Sequence, residues 1–254
     1  HLGVRVLSEQ NYQLDVSRDA NVAALSLHDF ELLADFSEAI DPAQLAGLFE
    51  DTFAKVFRGE IENDNFNRLV VLAGLEADEI VVLRAYAKYL KQIGFAASQA
   101  TIEGTLTTHP HIARMLVRLF KLRLAPAGRD EQGAAAQVNA IDQALGRVTN
   151  LSEDRVLRQF LALILATLRT NFWRTGVGHS EGLDALARRR SFLSFKLDSA
   201  QVPGLPKPRP LFEIWVYSPR FEGIHLRGGK VARGGLRWSD RPDDFRTEVL
   251  GLVK

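Results

Sequence analysis

The stretch Phe212-Glu213-Ile214-Trp215-Val216-Tyr217, Ser218-Pro219-Arg220, Gly223-Ile224-His225-Leu226-Arg227 reads as strand, turn and strand. Its first part alternates in an aromatic-rich register, Ser-Pro turns the chain, and the second part returns it, which is the pattern of a hairpin. Upstream, Ser191-Phe192-Leu193-Ser194-Phe195-Lys196-Leu197 alternates in the same way. Between the two, Val202-Pro203-Gly204-Leu205-Pro206-Lys207-Pro208-Arg209-Pro210 excludes a helix interior or a central strand. Gly176, Gly178 and Gly182 mark a loop before all of this, so the texture changes near residue 173.

Before that change, residues 41–172 are helical in pattern. Asp41-Pro42 starts a helix whose Leu45, Leu48, Phe49, Phe53, Val56 and Phe57 share a face, with Gly59 as its stop. A second helix carries Phe66, Leu69, Val70 and Ala73 and ends near Gly74; a third carries Ile80, Leu83, Tyr86, Ala87, Leu90 and Ile93 and ends at Gly94. Residues 98–107 form a short helix, residues 112–124 another that Pro126 ends, and residues 134–145 a weaker one. Ser152 then caps a segment in which Leu157, Phe160, Leu161, Ile164, Leu165, Leu168 and Phe172 recur at helical spacing. At the other end, residues 4–7, 12–16 and 22–30 read as strands, with turns at Gln10-Asn11 and at residues 17–21. The expected fold class is α+β, mainly α-helical. It divides into a β segment over 1–36, a helical module over 37–172 and a mixed α/β part over 173–254.

The 254 residues are 46% hydrophobic and 25% charged, as in soluble globular proteins. With 32 basic and 31 acidic residues the net charge is +1, which argues against a nucleic-acid binder. The run Arg188-Arg189-Arg190 reads as a solvated charge run. The absence of Cys excludes disulfides, thiolate metal sites and a Cys nucleophile, and fits a reducing cytoplasm. Residues 160–168 are the most apolar stretch, too short to span a bilayer. The lack of an initial Met and of a stop signal after the last helical pattern suggests a piece of a longer polypeptide.

Phosphate loops, metal-protease helices and the G-x-G-x-x-G fingerprint of dinucleotide sites are absent from the sequence. His109 and His111 flank Pro110 and read as helix-start residues rather than metal ligands. Tyr86, Tyr89 and Trp173 read as core or interface aromatics. One segment stands apart: Lys230-Val231-Ala232-Arg233-Gly234-Gly235-Leu236-Arg237-Trp238-Ser239-Asp240-Arg241. Paired glycines allow close backbone approach, and a guanidinium suits a carboxylate through two parallel hydrogen bonds. On chemistry alone, an anion-recognition loop feeding a helix and a hairpin turn with exposed arginines are both open.

Residues 230–254 resemble the start of the catalytic domain of glutamate dehydrogenases, where a basic residue, Gly-Gly, an apolar residue and Arg precede a helix containing Glu-Val. The wording Asp244-Phe245-Arg246-Thr247-Glu248-Val249-Leu250-Gly251 is similar to the large NAD-specific bacterial subfamily, as is the strand at residues 212–217. Leu83-Arg84-Ala85-Tyr86-Ala87-Lys88-Tyr89-Leu90 and Phe66-Asn67-Arg68-Leu69 resemble its helical region. His28-Asp29-Phe30 resembles the end of its ACT-like regulatory part. The resemblance implies interconversion of glutamate and 2-oxoglutarate plus ammonium, with NAD bound by a domain outside this chain. It implies a substrate-carboxylate role for Arg233, with Gly234 and Gly235 letting backbone approach the substrate. The family's general acid/base Lys is expected beyond Lys254, which itself reads as an ordinary helix residue, so no catalytic residue is expected here. A homo-oligomer and an amino-acid effector at the regulatory end are further expectations. The alternative is a non-catalytic helical module serving assembly or regulatory relay.

Overall fold

The computed structural model describes residues 1–14, 25–34, 42–126, 128, 130–174, 192–237 and 245–252. The cap at Asp41, the turn at residues 17–21, the loop glycines 176, 178 and 182, the arginine run 188–190 and Lys254 lie outside these. Along the chain come β1 (Val4–Leu14), β2 (Leu25–Ala34), α1 (Pro42–Phe57), α2 (Leu69–Ala73) and α3 (Ala77–Gln92). Then follow α4 (Gln99–Thr108), α5 (Pro110–Leu124), α6 (Glu131–Leu145) and α7 (Leu151–Ala166). Last are β3 (Thr167–Thr170), β4 (Leu193–Asp198), β5 (Phe212–Tyr217), β6 (Glu222–Gly228), β7 (Val231–Arg237) and α8 (Phe245–Gly251). The fold is α+β and mainly helical.

β1 and β2 pair antiparallel from Val4 opposite Ala34 to Leu14 opposite Leu25. The turn expected at Gln10-Asn11 is instead strand interior, with Gln10 opposite Asp29 and Asn11 opposite His28. Local turn propensity loses here to a long continuous ladder. The other five strands form one antiparallel sheet in the order β3-β4-β5-β6-β7. Its inward face follows the alternation read from sequence: Leu193, Phe195, Leu197, Glu213, Trp215, Tyr217, Ile224 and Leu226 are all buried.

That face packs on α3, α7 and α8. α3 is buried over most of its surface, with Asp78 exposed and Val81, Lys88 and Lys91 half-buried, which explains why its apolar residues spread beyond one narrow stripe. The Tyr86 ring stacks on Phe195 with centroids 4.2 Å apart, and Trp215 donates its indole N–H to the Ala85 carbonyl at 2.9 Å. Burying each of these large side chains contributes about 1.5–3 kcal/mol. A guanidinium inside such a helix needs partners: Arg84 donates twice to Asp64 at 2.7 Å and once to the Asn67 side chain at 2.8 Å. Burial works against the Arg84 charge, and the Asp64 bonds more than offset it, holding its pKa above the ordinary value.

Gly59, Gly74 and Gly94, read as stops for α1, α2 and α3, have φ of 67°, 61° and 74°, values that cost a glycine nothing. Both boundaries of α7 differ from the sequence reading. α7 is capped by Asn150, whose side-chain oxygen accepts from the N–H groups of Ser152 and Glu153 at 2.9 and 3.4 Å; Ser152 sits inside the helix. α7 also ends at Ala166, although Leu168 and Phe172 continue its spacing. Thr167 is the reason. Its hydroxyl donates to the Leu163 carbonyl at 2.7 Å and meets the Tyr86 hydroxyl at 2.7 Å, while the chain turns into β3 and gains ladder bonds with β4. No helix among the described residues is long and apolar enough to cross a membrane.

Candidate functional site

The Arg233-Gly234-Gly235 segment is not a loop. It lies within β7, the last strand of the five-stranded sheet, and the turn is made before it by Gly229-Lys230, between the paired residues Gly228 and Val231, with Gly229 at φ 69°. Neither Gly234 nor Gly235 has a positive φ. Cross-strand pairs set the faces: Arg233 lies opposite Leu226, Gly234 opposite His225 and Gly235 opposite Ile224. Since paired residues share a face, Arg233 and Gly235 are on the inward side that α8 covers, and Gly234 is on the other.

The two glycines serve different ends. A Cβ on Gly234 would lie 2.7 Å from the Ile224 carbonyl oxygen and 3.0 Å from His225 Cα and Cβ, so this glycine lets β7 approach β6. Among the described residues, a Cβ on Gly235 would meet only the Phe245 ring, at 3.7 and 3.8 Å. Gly234→Ala is therefore expected to cost about 1–3 kcal/mol, as overpacking does. Gly235→Ala is expected to change stability by less than about 1 kcal/mol, the usual size for a position with room. Urea titration of both variants checks the contrast.

Arg233 is exposed. Its Nη1 donates to the Ala232 carbonyl at 2.9 Å, and among the described residues it has no acidic partner. A guanidinium presented this way beside a helix is free to form a bidentate pair with an incoming carboxylate.

α8 is fixed to its place by charges that the sequence reading did not single out. Arg246, at 0% exposure, donates its Nε to Glu213 Oε2 at 3.0 Å and its Nη2 to Glu213 Oε1. Glu213, also at 0%, accepts in addition from the Tyr89 hydroxyl at 2.8 Å. Burial raises the Tyr89 pKa well above its ordinary value, and the Glu213 charge adds to the rise, so the phenol stays a donor. For Arg246, burial works against the charge, but the hydrogen bond and charge of Glu213 prevail and its pKa is raised. Its backbone N–H donates to Gln92 Oε1 at 3.1 Å, and Gln92 Nε2 donates to Glu222 Oε2 at 3.0 Å. One signal could have found Glu213: it occupies the inward register of a strand whose other inward residues are Trp215 and Tyr217.

Elsewhere, Tyr86 and Tyr89 are core residues as read, and Trp173 stacks on Phe120 with centroids 5.8 Å apart. His109 joins α4 to α5 and has Nε2 2.8 Å from Glu153 Oε2. The described part of the sheet is antiparallel throughout, with no β-α-β unit to seat a dinucleotide, so these residues do not fit a nucleotide-binding role.

Residues 140–254 match the catalytic domain of bacterial NAD-glutamate dehydrogenase, and residues 61–126 match helical motif 3 of glutamate dehydrogenase. The whole chain aligns at 48% identity with NAD-specific glutamate dehydrogenases of Halomonas elongata and of Pseudomonas aeruginosa, covering 15% of each. A protein of the same description from Mycobacterium tuberculosis is 50% identical over 84% of the chain and 13% of its own length. The chain belongs to the NAD-specific glutamate dehydrogenase family. It spans about 15% of the length of these curated relatives. Both family matches include part of the network that holds α8: Tyr89 and Gln92 in the helical motif, and Glu213, Glu222 and Arg246 in the catalytic stretch.

Proposed function

We propose that this chain is part of an enzyme that converts glutamate, NAD and water to 2-oxoglutarate, ammonium and NADH, and that it supplies one wall of the glutamate site. The observation that carries the reading is Arg233, exposed on the α8 side of β7 within a stretch that matches the family's catalytic domain. Its guanidinium would pair with a substrate carboxylate, while Gly235 leaves the backbone open beside it and Gly234 holds the strand close to β6. The hydride carrier and the acid/base Lys are assigned to sequence outside these residues. The accompanying division is 1–36 as the end of an ACT-like module, 37–172 as a helical module and 173–254 as the first part of the catalytic domain. An amino-acid effector at the regulatory end, a homo-oligomer and a cytoplasmic location belong to the same proposal.

The test is NADH formation followed by absorbance. The full-length protein containing this chain is expected to reduce NAD with glutamate and not with aspartate or alanine at equal concentration, and residues 1–254 alone are expected to give no turnover. A full-length protein inactive with glutamate refutes the proposal, as does turnover by the isolated chain.

A further inference from the structure

We infer that Gln92 is a positioning residue for the glutamate site, through which the helical motif sets the geometry of the substrate-binding strand. The inference rests on the assignment of Arg233 to a substrate carboxylate. Gln92 is the last residue of α3 and 3% exposed. Its amide oxygen takes the N–H of Arg246, at the start of α8, and its amide nitrogen donates to Glu222, at the start of β6. The amide orientation follows from these partners, because a backbone N–H requires the oxygen and a carboxylate requires the nitrogen.

Glu222 lies opposite Arg237, the final residue of β7. Gln92 therefore ties down both ends of the β7–α8 connection: one through the strand that pairs with Arg237, the other through Arg246. Arg233 and Gly235 lie just before that connection, and Phe245 packs beneath Gly235. A side chain of this length that donates with one atom and accepts with the other must be an amide; Glu, Lys or Met each lose at least one of the two bonds. The buried Glu213 holds Arg246 by its side chain, and Gln92 holds it by its backbone N–H.

The links cross from residues 61–126, which match the helical motif, to residues 140–254, which match the catalytic domain. A shift of α3 along its axis would thus reach Arg233 by way of β6 and α8. Misplacement of a binding group by an ångström is enough to weaken productive substrate binding.

The experiment uses the full-length enzyme and three forms: Gln92→Met, Gln92→Glu, and Gln92→Glu combined with Glu222→Gln. Gln92→Met removes both hydrogen bonds and is expected to raise the glutamate KM about 5- to 10-fold, while the NAD KM changes less than about 2-fold. Gln92→Glu keeps the acceptor for Arg246 but sets a carboxylate against Glu222, so its glutamate KM is expected to exceed that of Gln92→Met. The double variant exchanges donor and acceptor and is expected to return the glutamate KM to within about 2-fold of the parent, as restored coupling in a mutant cycle requires. Glutamate and NAD KM values that rise together, or a double variant no better than Gln92→Glu, overturn the inference. If Gln92→Met does not fold, the comparison of Gln92→Glu with the double variant decides alone. Arg233→Ala in parallel separates the two readings: an unchanged glutamate KM there refutes the substrate site itself, whereas a raised one beside an unaffected Gln92 series refutes only the relay.

Discussion

Glu213→Ala is expected to destabilise the chain by about 3–5 kcal/mol, because it leaves the Arg246 guanidinium buried without its countercharge. Arg246 and Glu213 are both at 0% exposure, so no water is at hand to replace the lost carboxylate. Tyr89 would lose its acceptor in the same step. The comparison that isolates charge from volume is Glu213→Leu with Arg246→Met: apolar replacement of both partners of a buried pair is often neutral or stabilising. Such a double variant is expected to recover most of the stability while still freeing α8 to move, because no hydrogen bond then ties it to β5. A surface control is Arg158→Ala, which breaks an exposed pair with Asp154 on α7 and is expected to cost less than about 1 kcal/mol. Urea denaturation followed by circular dichroism reads all of these. A Glu213→Ala cost below that of Arg158→Ala would show that α8 is held by its apolar residues Phe245, Val249 and Leu250 and by the Gln92 bond, without need of the buried pair.

The helices and strands of this chain were legible in its sequence wherever hydrophobic period and punctuation agreed. α3 ends before Gly94 and α1 starts at Pro42, both written in residues whose backbone preferences are strong. The errors fall where two signals conflicted. Ser152 and Asn150 are both good caps, and the side-chain geometry of Asn150 won. Leu168 and Phe172 keep a helical period that β3 overrides, because ladder bonds to β4 are a tertiary gain that periodicity does not report. In the candidate site, the residue types were legible and their conformation was not. Gly-Gly after Arg suggested a loop, but the turn is made earlier, at Gly229-Lys230, and Gly234 and Gly235 serve strand approach and clearance for Phe245. The partners Tyr89, Gln92, Glu213 and Arg246 are 33 to 154 positions apart in their hydrogen bonds, and no local pattern links them.

Arg233→Ala in the full-length enzyme is expected to lower kcat/KM for glutamate about 100-fold, with most of the loss in KM, as for a charge-assisted pair worth roughly 1.5–3 kcal/mol. The direction of that split follows from the role. A guanidinium that grips a carboxylate whose charge is the same in substrate and transition state binds both alike, so its removal is felt in binding more than in turnover. Arg233→Lys separates charge from geometry: an ammonium supplies the charge without the planar fork, and an intermediate loss is expected. Stability should not follow activity. Arg233 is exposed and, among the described residues, its one hydrogen bond is to the carbonyl of its own neighbour, so its removal is expected to change unfolding free energy by less than about 0.5 kcal/mol. Gly235→Ala supplies the complementary case. Among the described residues its added methyl meets nothing closer than the Phe245 ring, so reduced glutamate affinity with unchanged stability places the substrate beside that glycine. Steady-state kinetics with glutamate and NAD varied separately, set beside urea denaturation, distinguish these outcomes. An Arg233→Ala enzyme with the parent's glutamate KM assigns the carboxylate to another cation, and the site would have to be sought away from β7.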